Sequence, residues 1–264
     1  MIEIEPYPSV LSISKGDSAF FVDRRKLAVC GMQPPSGSIL TDLSIVKASS
    51  IIKTGEVSLR VKHPFRFLSE KIGSMSVYDL FAMEFEADTD GLIEKGKAKI
   101  DNSRIAAAVI TLSDRGAVGK REDKTGPAVR KIIEKVADFS DLYLIPDDRN
   151  LLRYVMAECA DRIHYDLVIT NGGTGVSPRD ITADVTESLV EKRMTGFEQA
   201  MMAAGIRETY KAVLSRSVVG IRGKTLIINL PGSTRAASTN LNSIIDAIGH
   251  LIKKLNGDPS ECGS

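Results

Sequence analysis

The feature that most constrains this chain is the run IAAAVITL at residues 105–112, which carries no charge and has Thr111 as its one polar side chain. A strand exposed on one face alternates apolar and polar residues. An unbroken apolar strand is therefore covered on both faces, as in a parallel sheet between helical layers. The sequence that follows keeps to this logic. Pro127 stands where a proline opens a helix, predicted to run to about residue 136. A second strand over 141–145 ends at Pro146-Asp147-Asp148, and a helix over 151–163 places Leu151, Val155, Met156 and Cys159 on one face. A third strand, 165–170, runs into a glycine turn. Helices are expected over 183–193 and 197–212, strands over 217–221 and 225–230, and one long helix over 235–255. Met194, Met201 and Met202 read as core packing. Residues 104–264 are thus predicted to form a three-layer α/β/α sandwich around a mostly parallel sheet.

The first 101 residues differ. Short strand-like runs at 22–29, 38–45, 56–62 and 83–85 are separated by turn residues, which predicts a smaller β-rich or α+β domain. The two parts are also alike in one respect, since acidic and basic residues nearly balance in both. Neither has the basic excess of a nucleic-acid binder. Cys30, Cys159 and Cys262 lack CxxC pairing, so no zinc site or disulfide framework is expected and a reducing cytoplasm fits. The start, MIEIEPYPSV, has acidic residues where a secretion signal needs basic ones, and no stretch suggests a membrane span.

In an open parallel sheet, ligands bind outside the carboxyl ends of the strands, where loops and helix amino termini converge. Four polar clusters fall at those ends: Ser113-Asp114-Arg115-Gly116, Pro146-Asp147-Asp148, Asn171-Gly172-Gly173-Thr174-Gly175 and Asn229-Leu230-Pro231-Gly232-Ser233. The glycines at 172, 173 and 175 let the chain turn sharply and aim backbone amides at a phosphate, and Thr174 adds a hydroxyl. The turn lacks the Gly-Lys-Ser/Thr ending of the phosphate loop and the dinucleotide fingerprint, so neither of those functions applies. Carboxylates near phosphates call for a cation, and Mg²⁺ takes one or two carboxylates together with phosphate oxygens. Asp147 and Asp180 are the candidates, while Asp148 and Asp184 read as helix caps. Arg179, Arg216 and Arg235 are candidates to grip a ligand phosphate with paired hydrogen bonds. Ser113 and Ser215 lack the base or elbow of a serine hydrolase, and His63, His164 and His250 share no triad or metal spacing.

The segments Thr111-Leu112-Ser113-Asp114-Arg115, Leu144-Ile145-Pro146-Asp147, Thr170-Asn171-Gly172-Gly173-Thr174-Gly175, Arg179-Asp180-Ile181-Thr182, Met194-Thr195-Gly196-Phe197, Leu214-Ser215-Arg216 and Asn229-Leu230-Pro231-Gly232 resemble, in order and spacing, the molybdopterin adenylyltransferase family. That family includes the G domains of gephyrin-like proteins. The resemblance covers about residues 104–255. It implies a homotrimer that attaches AMP from ATP to molybdopterin with release of pyrophosphate, before the molybdate-insertion enzyme, a further implied contact, acts. Mg²⁺ would be required, with Asp147 and Asp180 as the essential aspartates. The nucleotide and pterin site would be lined by Ser113, Asp114, Asn171, Gly172, Gly173, Thr174, Gly175, Ser215, Arg216, Asn229, Pro231, Gly232 and Ser233. A protein that binds the pterin without catalysing transfer is the alternative. The extra amino-terminal residues depart from the short family members. Within them, 56–61 and 91–96 are distantly similar to late strands of MOSC β-barrels, and 77–80 to cyclic pyranopterin monophosphate synthase, whose basic and histidine motifs are missing. Neither activity is assigned.

Overall fold

The computed structural model describes residues 2–7, 10–15, 18–23, 38–41, 51–67, 71–72, 75–76, 81–89, 91–94, 96–101 and 103–257. The chain divides into two compact units, Met1–Arg104 and Ile105–Ser264.

In the first unit the described residues form eleven strands: β1 (Ile2–Tyr7), β2 (Val10–Ile13), β3 (Ser18–Asp23), β4 (Ser38–Thr41), β5 (Ile51–Thr54), β6 (Val57–Phe67), β7 (Lys71–Ile72), β8 (Met75–Ser76), β9 (Phe81–Ala87), β10 (Gly91–Glu94) and β11 (Gly96–Asp101). Seven of them close into a barrel in the order β1-β11-β5-β6-β9-β3-β4. Ile4, Ile52, Leu59 and Ala98 are fully buried, and Ile52 and Leu59 are direct cross-strand partners, the kind of pair that stabilises a sheet face. Gly55 turns the β5–β6 hairpin at φ +55°. Of the expected strands, 56–62 falls in β6 and 83–85 in β9. The runs 22–29 and 38–45 are described only as far as Asp23 and Thr41. Cys30, Cys262, residues 77–80 and the side chain of His63 lie outside the described residues.

The second unit is a six-stranded sheet between helices. Its strands are β12 (Ala106–Leu112), β13 (Phe139–Ile145), β14 (Leu167–Asn171), β15 (Lys192–Arg193), β16 (Val219–Arg222) and β17 (Thr225–Leu230), in the order β13-β12-β14-β17-β16-β15. The first four run parallel, β16 runs antiparallel to β17, and the short β15 runs antiparallel to β16. Every residue of β12, β14 and β17 is buried, as the apolar runs require, whereas the edge strand β13 leaves Leu142 and Leu144 partly exposed. The helices are α1 (Asp114–Ala117), α2 (Thr125–Ile133), α3 (Arg149–Asp161), α4 (Thr182–Leu189), α5 (Thr195–Glu208), α6 (Thr234–Asn242) and α7 (Ile245–Leu255). One core joins Val109, Leu167, Ile169, Leu226 and Ile228 to Val129 and Ile133 of α2, Leu241 of α6 and Ile248 of α7. Cys159 is a free buried thiol in this unit, and burial, with the Asp141 and Glu158 charges, pushes its pKa well up. Met201 is core, as expected.

Three predicted helices are corrected. The one over 183–193 ends at Leu189, because Val190 packs on Gly220, where a Cβ would lie 2.7 Å away, and the chain then joins β16 as β15. The one over 197–212 ends at Glu208. A 3-10 turn, Tyr210–Leu214, folds back so that Ala212 meets Gly205. The one over 235–255 is two helices: Ser243 Oγ donates to the Asn240 carbonyl at 2.6 Å, competing with the helical ladder at the break.

Candidate active site

The parallel strands bring their carboxyl ends to one crevice, and its centre is the glycine turn after β14. Gly172 and Gly173 adopt φ +100° and +63°, conformations that side chains rarely tolerate. Added Cβ atoms would stand 2.8 Å from the Leu112 carbonyl oxygen and 2.5 Å from Thr182 Oγ1. Thr182 locks the turn from α4, its hydroxyl donating to the Gly172 carbonyl at 2.8 Å and its amide to the Gly173 carbonyl at 3.0 Å. Gly232 lies close against it, since a Cβ there would be 3.2 Å from Gly172 Cα, a tight contact.

Beside this turn the structure gathers carboxylates from three loops. The Asp147 amide donates to Asp114 Oδ1 at 2.9 Å, and the Asp114 amide returns a 3.2 Å bond to Asp147 Oδ2. Asp180 Oδ2 accepts from the Ser177 amide at 2.8 Å and sits 2.9 Å from where a Gly175 Cβ would be. Partial burial, and then the Asp180 charge, hold the Asp147 carboxyl above its ordinary pKa. Like charges held together this way suit a cation shared with phosphate oxygens. Among the described residues no group of three or more His, Cys, Asp or Glu side chains is placed to hold a metal ion.

The three candidate arginines are all paired. Arg179 binds Asp114, and Arg235 binds Glu208. Arg216 braces the glycine turn: its Nε donates to the Gly175 carbonyl at 2.8 Å, Nη2 to the Asp180 carbonyl at 2.7 Å and Nη1 to Asp184 Oδ1 at 2.6 Å. Its backbone amide adds a 2.8 Å bond to the Thr174 carbonyl. Asp184 is consequently an ion-pair partner and not the expected cap, α4 starting from Ile181 without a side-chain cap. Asp148 does cap α3, accepting from Leu151 at 2.8 Å.

Two depressions flank the turn and share Ser233. One is a polar cleft of about 740 Å³ lined by Ser113, Asp123, Thr125, Asn171, Gly232 and Thr234. The other is a groove of about 870 Å³, bordered by Thr174, Gly175, Ser215, Pro231 and the α5 side chains Met202 and Ile206. Ser113 caps α1 and Ser233 caps α6. Ser215 shares a 2.9 Å bond with Ser217. Asn229 stands apart from both. Its side chain is fully buried in the sheet, with Oδ1 accepting from Val218 and Nδ2 donating to Thr170 and Thr186, so it holds strands and α4 together. Asp123, which the sequence reading passed over, ties the cleft to α2. An acidic residue just before Thr125-Gly126-Pro127 was its one signal.

A three-layer α/β unit with a glycine turn, paired aspartates and helix amino ends at the carboxyl edge of its sheet defines a binder of phosphorylated ligands. Residues 108–250, more than half of the chain, match the family described as "Probable molybdopterin binding domain", and the chain belongs to that family. It is 34% identical over 157 residues to the molybdopterin adenylyltransferase of Helicobacter pylori, covering 58% of this chain and 89% of the relative. The Pyrococcus furiosus molybdopterin adenylyltransferase is 37% identical over 150 residues, 55% and 88% of the two chains. The solved structure of the molybdopterin biosynthesis enzyme MoaB from Thermus thermophilus superposes with a TM-score of 0.54 at 36% identity, covering 60% of this chain and 99% of that one. No helix among the described residues is long and apolar enough to cross a membrane.

Proposed function

We propose that the second unit transfers the adenylyl group of ATP to the terminal phosphate of molybdopterin, releasing pyrophosphate, in molybdenum cofactor biosynthesis. The observation that carries this reading is the glycine turn at the carboxyl end of β14, too tight at Gly172 and Gly173 for side chains, with the Asp180 carboxylate against Gly175 and Asp147 bonded to Asp114 on the neighbouring loop. A phosphate oxygen of the pterin attacks the α-phosphorus of ATP while the bond to the β-phosphate breaks. The attacking phosphate is already ionised near neutral pH, so the protein needs no strong base and mainly aligns two anions. Asp147 and Asp180 would hold Mg²⁺, which when bound disperses phosphate charge. The turn amides and the amino end of α6 orient phosphates, the amino end of α2 being held by the Asp123 carboxylate, and Arg216 braces the segment from the turn to Asp180.

Pyrophosphate release from ATP, measured with and without molybdopterin and Mg²⁺, tests this. Asp180→Ala is expected to lower turnover by on the order of 10²-fold, the scale of losing one transition-state-stabilising group, with pterin affinity much less affected. Equal loss of both contradicts the assignment, and tight pterin binding without any release points to a binding protein.

The assembly is proposed to be a homotrimer. Large apolar side chains are exposed on two different parts of the second unit, Leu142 and Leu144 on the edge strand β13, and Ile206, Tyr210, Val213 and Leu214 at the end of α5 and on the 3-10 turn after it. Distinct apolar surfaces on one subunit suit a head-to-tail ring, in which one covers the other. Light scattering should return three chain masses, and a monomer mass at micromolar concentration rules the ring out.

A further inference from the structure

The polar cleft contains a hydrogen-bond chain whose direction is fixed by chemistry. Asp123 Oδ1 accepts from the amides of Thr125 and Gly126, at 3.0 and 2.9 Å, and Asp123 Oδ2 lies 2.6 Å from Thr111 Oγ1. A carboxylate only accepts, so the single Thr111 proton goes to Asp123. Thr111 Oγ1 is then an acceptor toward Asn171, 3.0 Å away, and the Asn171 atom facing it is the amide nitrogen. The other arm of that amide, Oδ1, is left without a partner. It is the one buried side-chain nitrogen or oxygen among the described residues in that state, on a residue only 1% exposed. Buried acceptors are nearly always paired, and leaving one unpaired costs stability. The contrast with Asn229 is direct, because every polar atom of that buried amide has a protein partner.

We propose that Asp123 and Thr111 are positioning residues that hold the Asn171 oxygen as an acceptor for an N–H or O–H group of the ligand bound in the polar cleft. This rests on the adenylyl-transfer reading, whose two substrates both carry such donors: the ring N–H and amino edge of the pterin, and the ribose hydroxyls and amino group of the nucleotide. Asn171 lines the cleft together with Ser113, Thr125 and Ser233, and Arg121 and Lys124 border it along with the acidic Glu122 and Asp123, so its charge is balanced. A donor-bearing ring or sugar matches an acceptor set in such a polar lining.

The test uses the full chain, with neopterin and ATP as separate calorimetric probes and 2′-deoxy-ATP as a control. Asn171→Leu should weaken one probe by about tenfold, the worth of one hydrogen bond, while Tm stays level or rises because an unpaired buried oxygen has gone. Loss confined to neopterin assigns the donor to the pterin. Loss confined to ATP assigns it to the nucleotide, and to the 2′-hydroxyl if 2′-deoxy-ATP binds wild type and variant alike. Asp123→Asn is the isosteric second variant and decides the matter if Asn171→Leu does not fold. An asparagine there still accepts from Thr125 and Gly126 but turns its own NH₂ to Thr111, whose proton then passes to Asn171 and swings that amide nitrogen toward the ligand. The same probe should weaken by a similar factor. Affinities within twofold of wild type in both variants overturn the proposal alone, making Asn171 a structural residue. Failure of the wild-type chain to bind either probe overturns the adenylyl-transfer reading and this proposal with it.

Discussion

The polar cleft and the apolar groove share Ser233 yet are built in opposite ways. The cleft is walled by helix amino ends and by side chains tied to backbone: Asp123 to α2, Ser233 to α6, and Thr125 to both the Gly232 carbonyl and the Thr234 hydroxyl. The groove is walled by α5, which buries only Met201, and by a 3-10 turn that buries nothing. A tied polar wall selects by hydrogen-bond geometry and suits phosphates. A lightly packed wall with Met202 adapts to a flat ring or to a second subunit. The glycine turn lies between them, giving Asn171 to the cleft and Thr174 and Gly175 to the groove. Breaking the turn should therefore damage both.

The largest effect is expected from Gly173→Ala. The φ of +63° strains any side chain, and the Cβ would sit 2.5 Å from Thr182 Oγ1, so the hydroxyl that holds the Gly172 carbonyl must move. We expect a loss of about 3 kcal/mol of stability, the upper range for backbone strain, and turnover near background. Urea melts and pyrophosphate release measure the two. A variant as stable and active as wild type would show that the turn is free to change shape, and the rigid half of the comparison would fall.

What the sequence made legible was what depends on near neighbours. The apolar run of β12 announced a doubly covered strand because both its faces are buried, and the glycines after β14 announced a turn because few other residues reach those angles. The helix break at Ser243 was hidden, since the apolar spacing continues through it while one hydroxyl takes the Asn240 carbonyl. Asn229 was placed in the site as the first residue of the polar cluster ending the last strand and by the family resemblance. Its alternation with Ile228 and Leu230, which belong to the core beneath α2, α6 and α7, puts its side chain on the other face of the sheet. Asp123 was missed because its part depends on meeting Thr111 and Asn171 from two different strands. The pairing of the three arginines was hidden for a similar reason, their carboxylate and carbonyl partners lying far off in sequence.

The smaller expected effect concerns Arg216, which steadies the groove side of the turn. Arg216→Gln removes a charge and a fork that no amide can copy across the Gly175 carbonyl, the Asp180 carbonyl and Asp184. Turnover should fall about tenfold through misplacement of Asp180, and stability at pH 7 by about 1 kcal/mol, mostly from the two carbonyl bonds. The ion pair itself is solvent-exposed and adds roughly 0.5 kcal/mol at most. Its share has a definite sign. Hydrogen bonding and charge from Arg216 hold the Asp184 carboxyl below its ordinary range. A depressed carboxyl stabilises the fold above its unfolded pKa, about 3.9, and that contribution is lost as pH falls through the lower folded value. Urea melts at pH 7 and pH 3 should thus show the gap between wild type and Arg216→Gln narrowing in acid. An equal gap at both pH values would assign the whole effect to the carbonyl bonds, and the Asp184 pair would be incidental to the brace.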